Sequence, residues 1–231
     1  MQSPTPISLA LELSQQEGSI ACVDARGIVI EKSIEIGNHL TDTVMPSIQA
    51  ATESLHIAPP NLELIAISTG PGGFTGLRTS VAIAKMISLC SKAKIVAVES
   101  AIVVACASNM GDGPFCIVSG VKQNHVWFSV VQHKDNTWSC DSKHLCTEEL
   151  PPLGFVKALF ADTHLPQRIA SSAKEYDVPI VAPAPTATSL LEIALPLHHS
   201  NLHVEPAMLS PLYPREPEAV RLWKAKNPQS T

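Results

Sequence analysis

The chain has 231 residues, which is enough for one large domain or two small ones, each with a sizeable hydrophobic core. Its formal net charge of -5 argues against a protein that holds nucleic acid by its own field, because phosphate contacts need clustered Lys and Arg. Only 16% of the residues are charged. This low fraction indicates an exterior partly covered by another chain, although the many Ala and Pro residues also lower it.

The cysteines and the N-terminal segment bear on the cellular compartment. The six cysteines contain no CxxC pair and no compact framework, so we interpret them as reduced thiols. The N-terminus lacks a basic segment followed by an apolar one, and no uninterrupted run of about 18 apolar residues occurs. We therefore expect a cytoplasmic protein without a membrane span.

Strands and helices alternate in the first half of the sequence. Gly27 lies in a turn between two apolar runs, which indicates a hairpin, and apolar residues then recur at strand or helical spacing. The predicted elements are strands at Ile7–Leu13, Ser19–Val23 and Ile28–Ile36, a helix at Leu40–Leu55, a strand at Leu62–Ser68, a helix at Gly76–Cys90, a strand at Ile95–Val98 and a helix at Glu99–Ser108. This order predicts an α/β fold.

The densest turn signal of the chain, Asn109–Pro114, separates two halves. We predict an N-terminal lobe at residues 1–109 and a C-terminal lobe at residues 110–231. The second half is predicted to contain strands at Phe115–Ser119, Val126–Gln132 and Thr137–His144, a weak helix at Gly154–Phe160, a strand at Pro179–Val181 and a helix at Ser189–Leu197.

A glycine-rich segment joins the predicted strand Leu62–Ser68 to the helix that follows it. Four glycines occur within Gly70–Gly76 and permit conformations and close approaches that a Cβ atom would block. Such a loop at a helix N-terminus could cradle phosphate. However, no Lys follows the last glycine and GxGxxG fits only loosely, so we favour a structural tight turn. We predict that Val at Gly73 or Gly76 lowers the stability of the fold.

The same segment resembles the GPGSFTGLR signature of the TsaB family, with glycine in the place of the serine. The matching residues are Gly70, Pro71, Gly72, Gly73, Phe74, Thr75, Gly76, Leu77 and Arg78. Around this segment, Leu9–Ser14 is similar to the family's opening strand, His39–Pro46 to its HSExLLP helix start and Pro211–Arg215 to its PxYLR ending. The similarity is good over residues 7–105 and thin afterwards.

Two further stretches depart from the family pattern. Glu12-Leu13-Ser14 stands where the family usually has Asp-Thr-Ser, so a carboxylate persists on a longer side chain. Residues Gly120–Trp127 keep only the apolar end of the family's DARRxEVY motif. Functions of the charged residues in that motif are therefore not carried over to this chain.

The resemblance implies a two-lobed α/β fold of the actin and heat-shock ATPase type, built from RNase-H-like halves. It also implies a non-catalytic scaffold subunit that pairs with a TsaD-like enzyme in the threonylcarbamoyl-adenosine modification of tRNA beside the anticodon. A TsaE-like ATPase would join through the complex, and contact with tRNA would be indirect or weak. Some family members self-associate, so a homodimer stays open as an alternative.

The residues that catalysis would need are missing from the expected places. Glu12–Gln16 lacks the DxG turn with which ATPases of this fold hold metal and phosphate, and Glu99–Cys106 lacks the histidine ligands of TsaD-like proteins. The neighbouring His198, His199 and His203 have no acidic or Cys partner and are expected at the surface. We therefore expect no catalytic residue, cofactor or metal. The alternative is an enzyme, either a metal-dependent glycoprotease-type peptidase or a small-molecule kinase of the same superfold.

A partner surface is predicted on the two helices Leu40–Leu55 and Gly76–Cys90, which the family pattern places together on one lobe. The second helix combines an apolar stripe with small residues, so a partner helix could approach it closely. The predicted contact residues are Leu40, Val44, Ile48, Ser80, Ile83, Ala84 and Met86. Alternatively these residues are ordinary core, because helical periodicity alone does not separate a buried face from a docked one.

Overall fold

The structure is a computed structural model that describes residues 5–35, 40–91, 93–122, 125–135, 137–146, 149–213 and 223. The first half contains the strands β1 (Ser8–Glu12), β2 (Glu17–Val23), β3 (Val29–Glu35), β4 (Leu64–Ser68) and β5 (Lys94–Val98) and the helices α1 (Leu40–Ser54), α2 (Phe74–Ser91) and α3 (Ser100–Ala107). The second half contains β6 (Phe115–Lys122), β7 (His125–Lys134), β8 (Thr137–Cys146), β9 (Leu159–Phe160), β10 (Ile180–Val181), α4 (Gln167–Glu175) and α5 (Ala187–His199).

The ten strands of the described ranges form two five-stranded sheets that share one topology. The first sheet has the order β3-β2-β1-β4-β5 and the second the order β10-β9-β6-β7-β8. In each sheet the first three strands of the half are antiparallel neighbours, and the last two are added in parallel on the other side of the first strand. This repeated arrangement confirms the predicted α/β fold of two RNase-H-like halves.

The first sheet is buried on both faces, which explains why β1 and β4 are almost continuously apolar. On one face, Leu9 and Leu11 of β1 belong to a core cluster with residues of α1 and α2. On the other face, Ala10 packs in a second cluster with Leu190 and Ala194 of α5. Alternation along β1 thus places large side chains toward two helices and small ones toward a third.

Helices α3 and α5 each cover the sheet of the other half. Helix α3 contacts β6, β7 and β8, whereas α5 contacts β1, β2, β4 and β5. Ala101 and Ala105 of α3 share a core cluster with Phe115 and Phe160 of the second sheet. Because each of these helices packs on the sheet of the other half, apolar contacts join the two halves. The division into lobes after residue 109 stays a prediction.

The second half differs from its predicted elements at two places. The weak helix expected at Gly154–Phe160 is wrong, because Leu153–Phe155 forms one 3-10 turn and Leu159–Phe160 pairs with β6 and β10 as strand β9. Helix α4 was not predicted, since only Ile169 and Ala173 give it an apolar period. The first error occurs where strand pairing overrides a weak helical pattern, and the second where the apolar pattern is too sparse to indicate a helix.

Candidate functional site

The glycine loop packs directly on the end of β1. The amide of Gly73 donates to the carbonyl of Ser14 at 2.7 Å. A Cβ atom at Gly72 or Gly76 would overlap the backbone of Ser14 or Leu13, so these two positions require glycine. A Cβ atom at Gly73 would lie 3.7 Å from the Ser14 carbonyl oxygen, which is ordinary contact. Gly73 therefore has room for a side chain, so the loss of stability predicted for Val is expected at Gly76 and not at Gly73.

The other side of the loop is held by α3 and by the segment near residue 212. Gly70 has a φ of 113°, and a Cβ atom there would lie 2.6 Å from the Leu212 carbonyl oxygen. The Gly70 amide donates to Ser100 Oγ at 2.9 Å, and the Ser100 amide donates back to the Gly70 carbonyl at 2.9 Å. Because the amides of Gly70 and Gly73 have internal acceptors, neither is free to bind phosphate.

Buried polar groups lie at the ends of β1 and β4, directly beneath this loop. Glu12 is fully buried, and its Oε1 accepts hydrogen bonds from the amide and Oγ of Ser14 at 2.9 and 2.5 Å. Burial raises the pKa of the Glu12 carboxyl group, although the Ser14 bonds and nearby Ser68 act to lower it. No hydrogen bond of ordinary geometry reaches Glu12 Oε2 or Ser68 Oγ from the described residues. A carboxyl group so enclosed is unsuited to holding an exposed metal ion.

An aromatic and cationic cluster stands at the start of α2. The Arg78 guanidinium carbon lies 3.6 Å from the centroid of the Phe74 ring, and Arg78 Nε donates to the Tyr213 hydroxyl at 2.7 Å. The Phe74 and Tyr213 rings are 5.5 Å apart between centroids. Arg78 follows Phe74 by four residues, so one helical face presents both side chains. Phe74 is nevertheless 50% exposed, which leaves an aromatic surface open.

Most of the predicted partner contacts are buried within the chain itself. Val44, Ile48, Ile83 and Ala84 belong to the core cluster on the α1 and α2 face of the first sheet. Ser80 is fully buried, and its Oγ donates to the Gly76 carbonyl at 3.1 Å. These five side chains are turned away from any partner that docks on the surface.

The two other predicted contact residues have different positions. Met86 is 47% exposed and faces outward from α2. Leu40 begins α1, but its side chain lies outside what the structure describes, as do His39, Pro214 and Arg215 of the family resemblance. Met86 is therefore the predicted contact that can reach a partner.

The outward face of α2 is the surface to which Met86 belongs. We call it the α2 face, and it comprises the exposed residues Phe74, Arg78, Ala82, Met86 and Leu89. Leu89 is 78% exposed and was not predicted, although its spacing from Met86 extends the same row. The whole helix contains Arg78 and Lys85 but no Asp or Glu. The α2 face is thus apolar and cationic in a chain whose net charge is -5.

A cleft of about 1140 Å³ lies between the turn after β1 and the loops that follow β9 and β10. Glu17, Glu31 and Asp162 line this cleft, and the described part of its wall contains no Lys or Arg. The Glu31 carboxylate accepts hydrogen bonds from the hydroxyls of Ser19 and Thr188 at 2.9 and 2.6 Å. An acidic wall disfavours a nucleotide, because phosphate and carboxylate repel each other.

The described part of the chain has neither a cluster of metal ligands nor a helix suited to a membrane. There, no three His, Cys, Asp or Glu side chains are grouped as a metal ion would need. His198 and His203 instead pair with each other, with 3.1 Å between His198 Nδ1 and His203 Nε2. In the same ranges, every helix is too short or too polar to traverse a lipid bilayer.

The fold and the glycine loop are both similar to those of known proteins. Residues 27–147, slightly more than half of the chain, match the family model described as TsaD, tRNA N6-adenosine threonylcarbamoyltransferase. The chain belongs to this family. Its curated relatives are TsaB proteins, which confirms the resemblance found in the glycine loop.

Two of these relatives are called tRNA threonylcarbamoyladenosine biosynthesis protein TsaB. The protein from Bacillus subtilis is 24% identical over 127 residues, covering 55% of this chain and 56% of the relative. The protein from Buchnera aphidicola is 30% identical over 99 residues, covering 43% of this chain and 47% of the relative. The chain thus spans about half the length of the curated relatives it matches.

Two solved structures from Pseudomonas aeruginosa share the fold over nearly the whole chain. One is an uncharacterized protein with similarity to peptidase YeaZ, with 20% identity and a TM-score of 0.75 over 91% of this chain and 100% of that one. The other is YeaZ, with 19% identity and a TM-score of 0.74 over 90% of this chain and 100% of that one. At this identity the similarity establishes the fold.

Proposed function

We propose that the chain is a non-catalytic subunit of threonylcarbamoyl-adenosine biosynthesis on tRNA and pairs with a TsaD-type enzyme. The observation that carries this proposal is the α2 face, an exposed apolar and cationic helix surface beside a glycine loop that the chain itself fills. The family match and the names of the TsaB relatives support the pathway. The helix supports association with another protein.

A non-catalytic role is supported by the state of the polar groups around the loop. Glu12 is enclosed where an ATPase of this fold would expose an aspartate to metal and water. The amides of Gly70 and Gly73 already donate to Ser100 and Ser14. The neighbouring cleft has carboxylates on its wall, and among the described residues that line it there is no Lys or Arg to neutralise a phosphate. None of these features favours the alternative of a kinase or peptidase.

The chemistry of the α2 face favours a different protein over a second copy of this chain. Two copies that met through this face would bring Arg78, and Lys85 beside the face, toward the same cations of the other helix, and like charges repel. A partner with carboxylates among apolar side chains would complement the face. Apolar groups at Met86 and Leu89 would supply the buried area. A homodimer is therefore the less favoured alternative.

Contacts with the remaining components follow from the same charges. With a net charge of -5, the chain would touch tRNA indirectly or weakly, and the partner would carry the phosphate contacts. A TsaE-like ATPase would join through the assembled complex. No residue of this chain is assigned to either contact.

The proposal is tested by Met86→Glu with Met110→Glu as a matched control. Both methionines are exposed, at 47% and 41%, but Met110 lies in the loop between α3 and β6, away from α2. Met86→Glu should weaken association with a TsaD-type protein from the same organism by about tenfold or more, because an unpaired carboxylate would be buried. Association is measured by size-exclusion chromatography with light scattering, and folding by circular dichroism.

Met110→Glu should bind like the unmodified chain. Undiminished binding by a folded Met86→Glu variant would remove the α2 face from the interface. Failure of the unmodified chain to associate with any TsaD-type protein would contradict the proposed function as a whole. An equal loss in both variants would show a general effect of added charge and would also count against the assignment.

A further inference from the structure

The segment of residues 200–213, which we call the C-terminal strap, covers the open edge of the first sheet. Strand β5 is the last strand of that sheet, and the Val204 amide donates to the Ile95 carbonyl at 2.9 Å. Farther along, Leu209 is buried in the core, and the Leu212 amide donates to the Thr69 carbonyl at 2.7 Å. The strap therefore passes from the beginning of β5 to the glycine loop at the opposite end of the sheet.

The first anchor of the strap is a pair of histidines. His198, in the last turn of α5, and His203, in the strap, approach to 3.1 Å between Nδ1 and Nε2. Their ring centroids are 5.0 Å apart. A hydrogen bond between two imidazoles requires that one of the facing nitrogens carries no proton. The pair therefore accommodates one positive charge but not two.

Other charged groups surround the pair on each neighbouring element. His199 of α5 lies 5.9 Å from His198 between ring centroids. Glu63 just before β4 and Lys94 at the start of β5 line the same cleft as His198 and His199. Partial burial lowers the pKa of His198, and the charges of His203 and His199 lower it further. The Glu63 carboxylate opposes this shift. Glu63 is held in place because its Oε2 accepts the Ile7 amide at 2.8 Å.

We propose that the His198–His203 pair is a pH-sensitive clasp that holds the C-terminal strap on β5 at neutral pH and releases it in mild acid. When the second imidazole is protonated, two N–H groups face each other and two like charges lie in contact. The pair must then separate, and the Val204 bond to Ile95 loses its nearest support. Because the pKa of His198 is lower in the folded chain, acid weakens the clasp. The clasp is fully effective above the ordinary histidine pKa of about 6.5 and weakens as the pH falls below it.

Release of the clasp has a consequence at the other end of the strap. Tyr213 closes the strap and accepts the Arg78 Nε hydrogen bond on the α2 face. A loosened strap would free the Arg78 side chain and withdraw the Leu212 carbonyl from Gly70. The device would thus alter the α2 face from the far end of the strap, and the packing of Leu209 would loosen with it. The device does not depend on which partner binds the α2 face, because the His198–His203 pair and the Arg78–Tyr213 hydrogen bond both lie within this chain.

The test is amide hydrogen exchange of the intact chain, read residue by residue by NMR at about pH 7.5 and about pH 5.5. After correction for the intrinsic pH dependence of exchange, protection of the Val204 and Leu212 amides should fall by about tenfold in acid. In His203→Gln, which retains hydrogen-bonding groups but cannot titrate, this fall should disappear. His164→Gln replaces an exposed histidine of the second half and should keep the full response.

Three results would overturn the clasp: unchanged protection of Val204 in acid, a fall at Val204 without one at Leu212, or a full response in His203→Gln. Direct titration of the histidine C–H resonances in the unmodified chain provides a second measurement if His203→Gln does not fold. One imidazole of the pair should then take up its proton at a lower pH than the other. Two independent titrations at the ordinary histidine pKa would reject the proposal.

Discussion

Glu12 places a carboxyl group where the fold offers no solvent. The amide and the hydroxyl of Ser14 both donate to Glu12 Oε1. Among the described residues, neither Glu12 Oε2 nor Ser68 Oγ has a hydrogen-bond partner. Burial raises the pKa of Glu12. The folded chain therefore keeps a proton on this carboxyl group at pH values where the unfolded chain has already lost it. This contribution to stability is complete below the unfolded pKa of about 4.3 and is lost as the pH rises through the folded pKa.

The substitution Glu12→Gln should therefore stabilise the chain at neutral pH. The amide oxygen can keep the Ser14 bonds, and the amide nitrogen can donate to Ser68 Oγ. We expect the free energy of unfolding in urea at pH 7 to rise by about 1–3 kcal/mol, the cost of an unsatisfied buried group, and the gain to shrink toward pH 4. The exposed Glu17→Gln is the control and should show no such trend. A gain that is independent of pH, or a loss at neutral pH, would contradict this account.

At the scale of elements, the entry into α2 depends on how closely the glycine loop approaches β1. The sequence alone treats Gly73 and Gly76 alike, because both belong to one glycine-rich run. In the fold, a Cβ atom at Gly76 overlaps the Leu13 carbonyl, whereas one at Gly73 makes ordinary contact with the Ser14 carbonyl. This difference explains why the family signature can carry serine in the place of Gly73.

The pair Gly76→Ala and Gly73→Ala separates these two environments. Gly76→Ala should lower the free energy of unfolding by about 1–3 kcal/mol, because the added methyl group forces α2 away from β1. Gly73→Ala should change it by less than about 0.5 kcal/mol. Urea unfolding followed by circular dichroism measures both. Equal effects of the two substitutions would mean that the loop does not hold the close contact with Leu13.

Across the whole molecule, the predictability of each part depends on the strength of its local pattern. The first half is predicted well because apolar runs such as Leu64–Ser68 end just before a clear turn signal, here the glycine-rich loop that begins at Gly70. Helix α4 was missed because it buries so few apolar residues. The predicted partner contacts mixed Met86 with Val44 and Ile48, since a helical period identifies a stripe but not the side that faces the sheet. That distinction requires the tertiary fold.

Nucleotide binding tests the arrangement of the whole molecule, because the two halves together line the acidic cleft. Glu17 and Glu31 come from the first sheet and Asp162 from the second half, and no Lys or Arg among the described lining residues offsets them. We expect titration calorimetry of the isolated chain with Mg-ATP to show a Kd weaker than about 100 µM and no phosphate release. The triple variant Glu17→Gln, Glu31→Gln and Asp162→Asn should bind no less tightly than the unmodified chain, because repulsion is removed. Binding tighter than about 1 µM, which corresponds to about 8 kcal/mol, would show that the cleft retains a nucleotide site and would contradict the non-catalytic role.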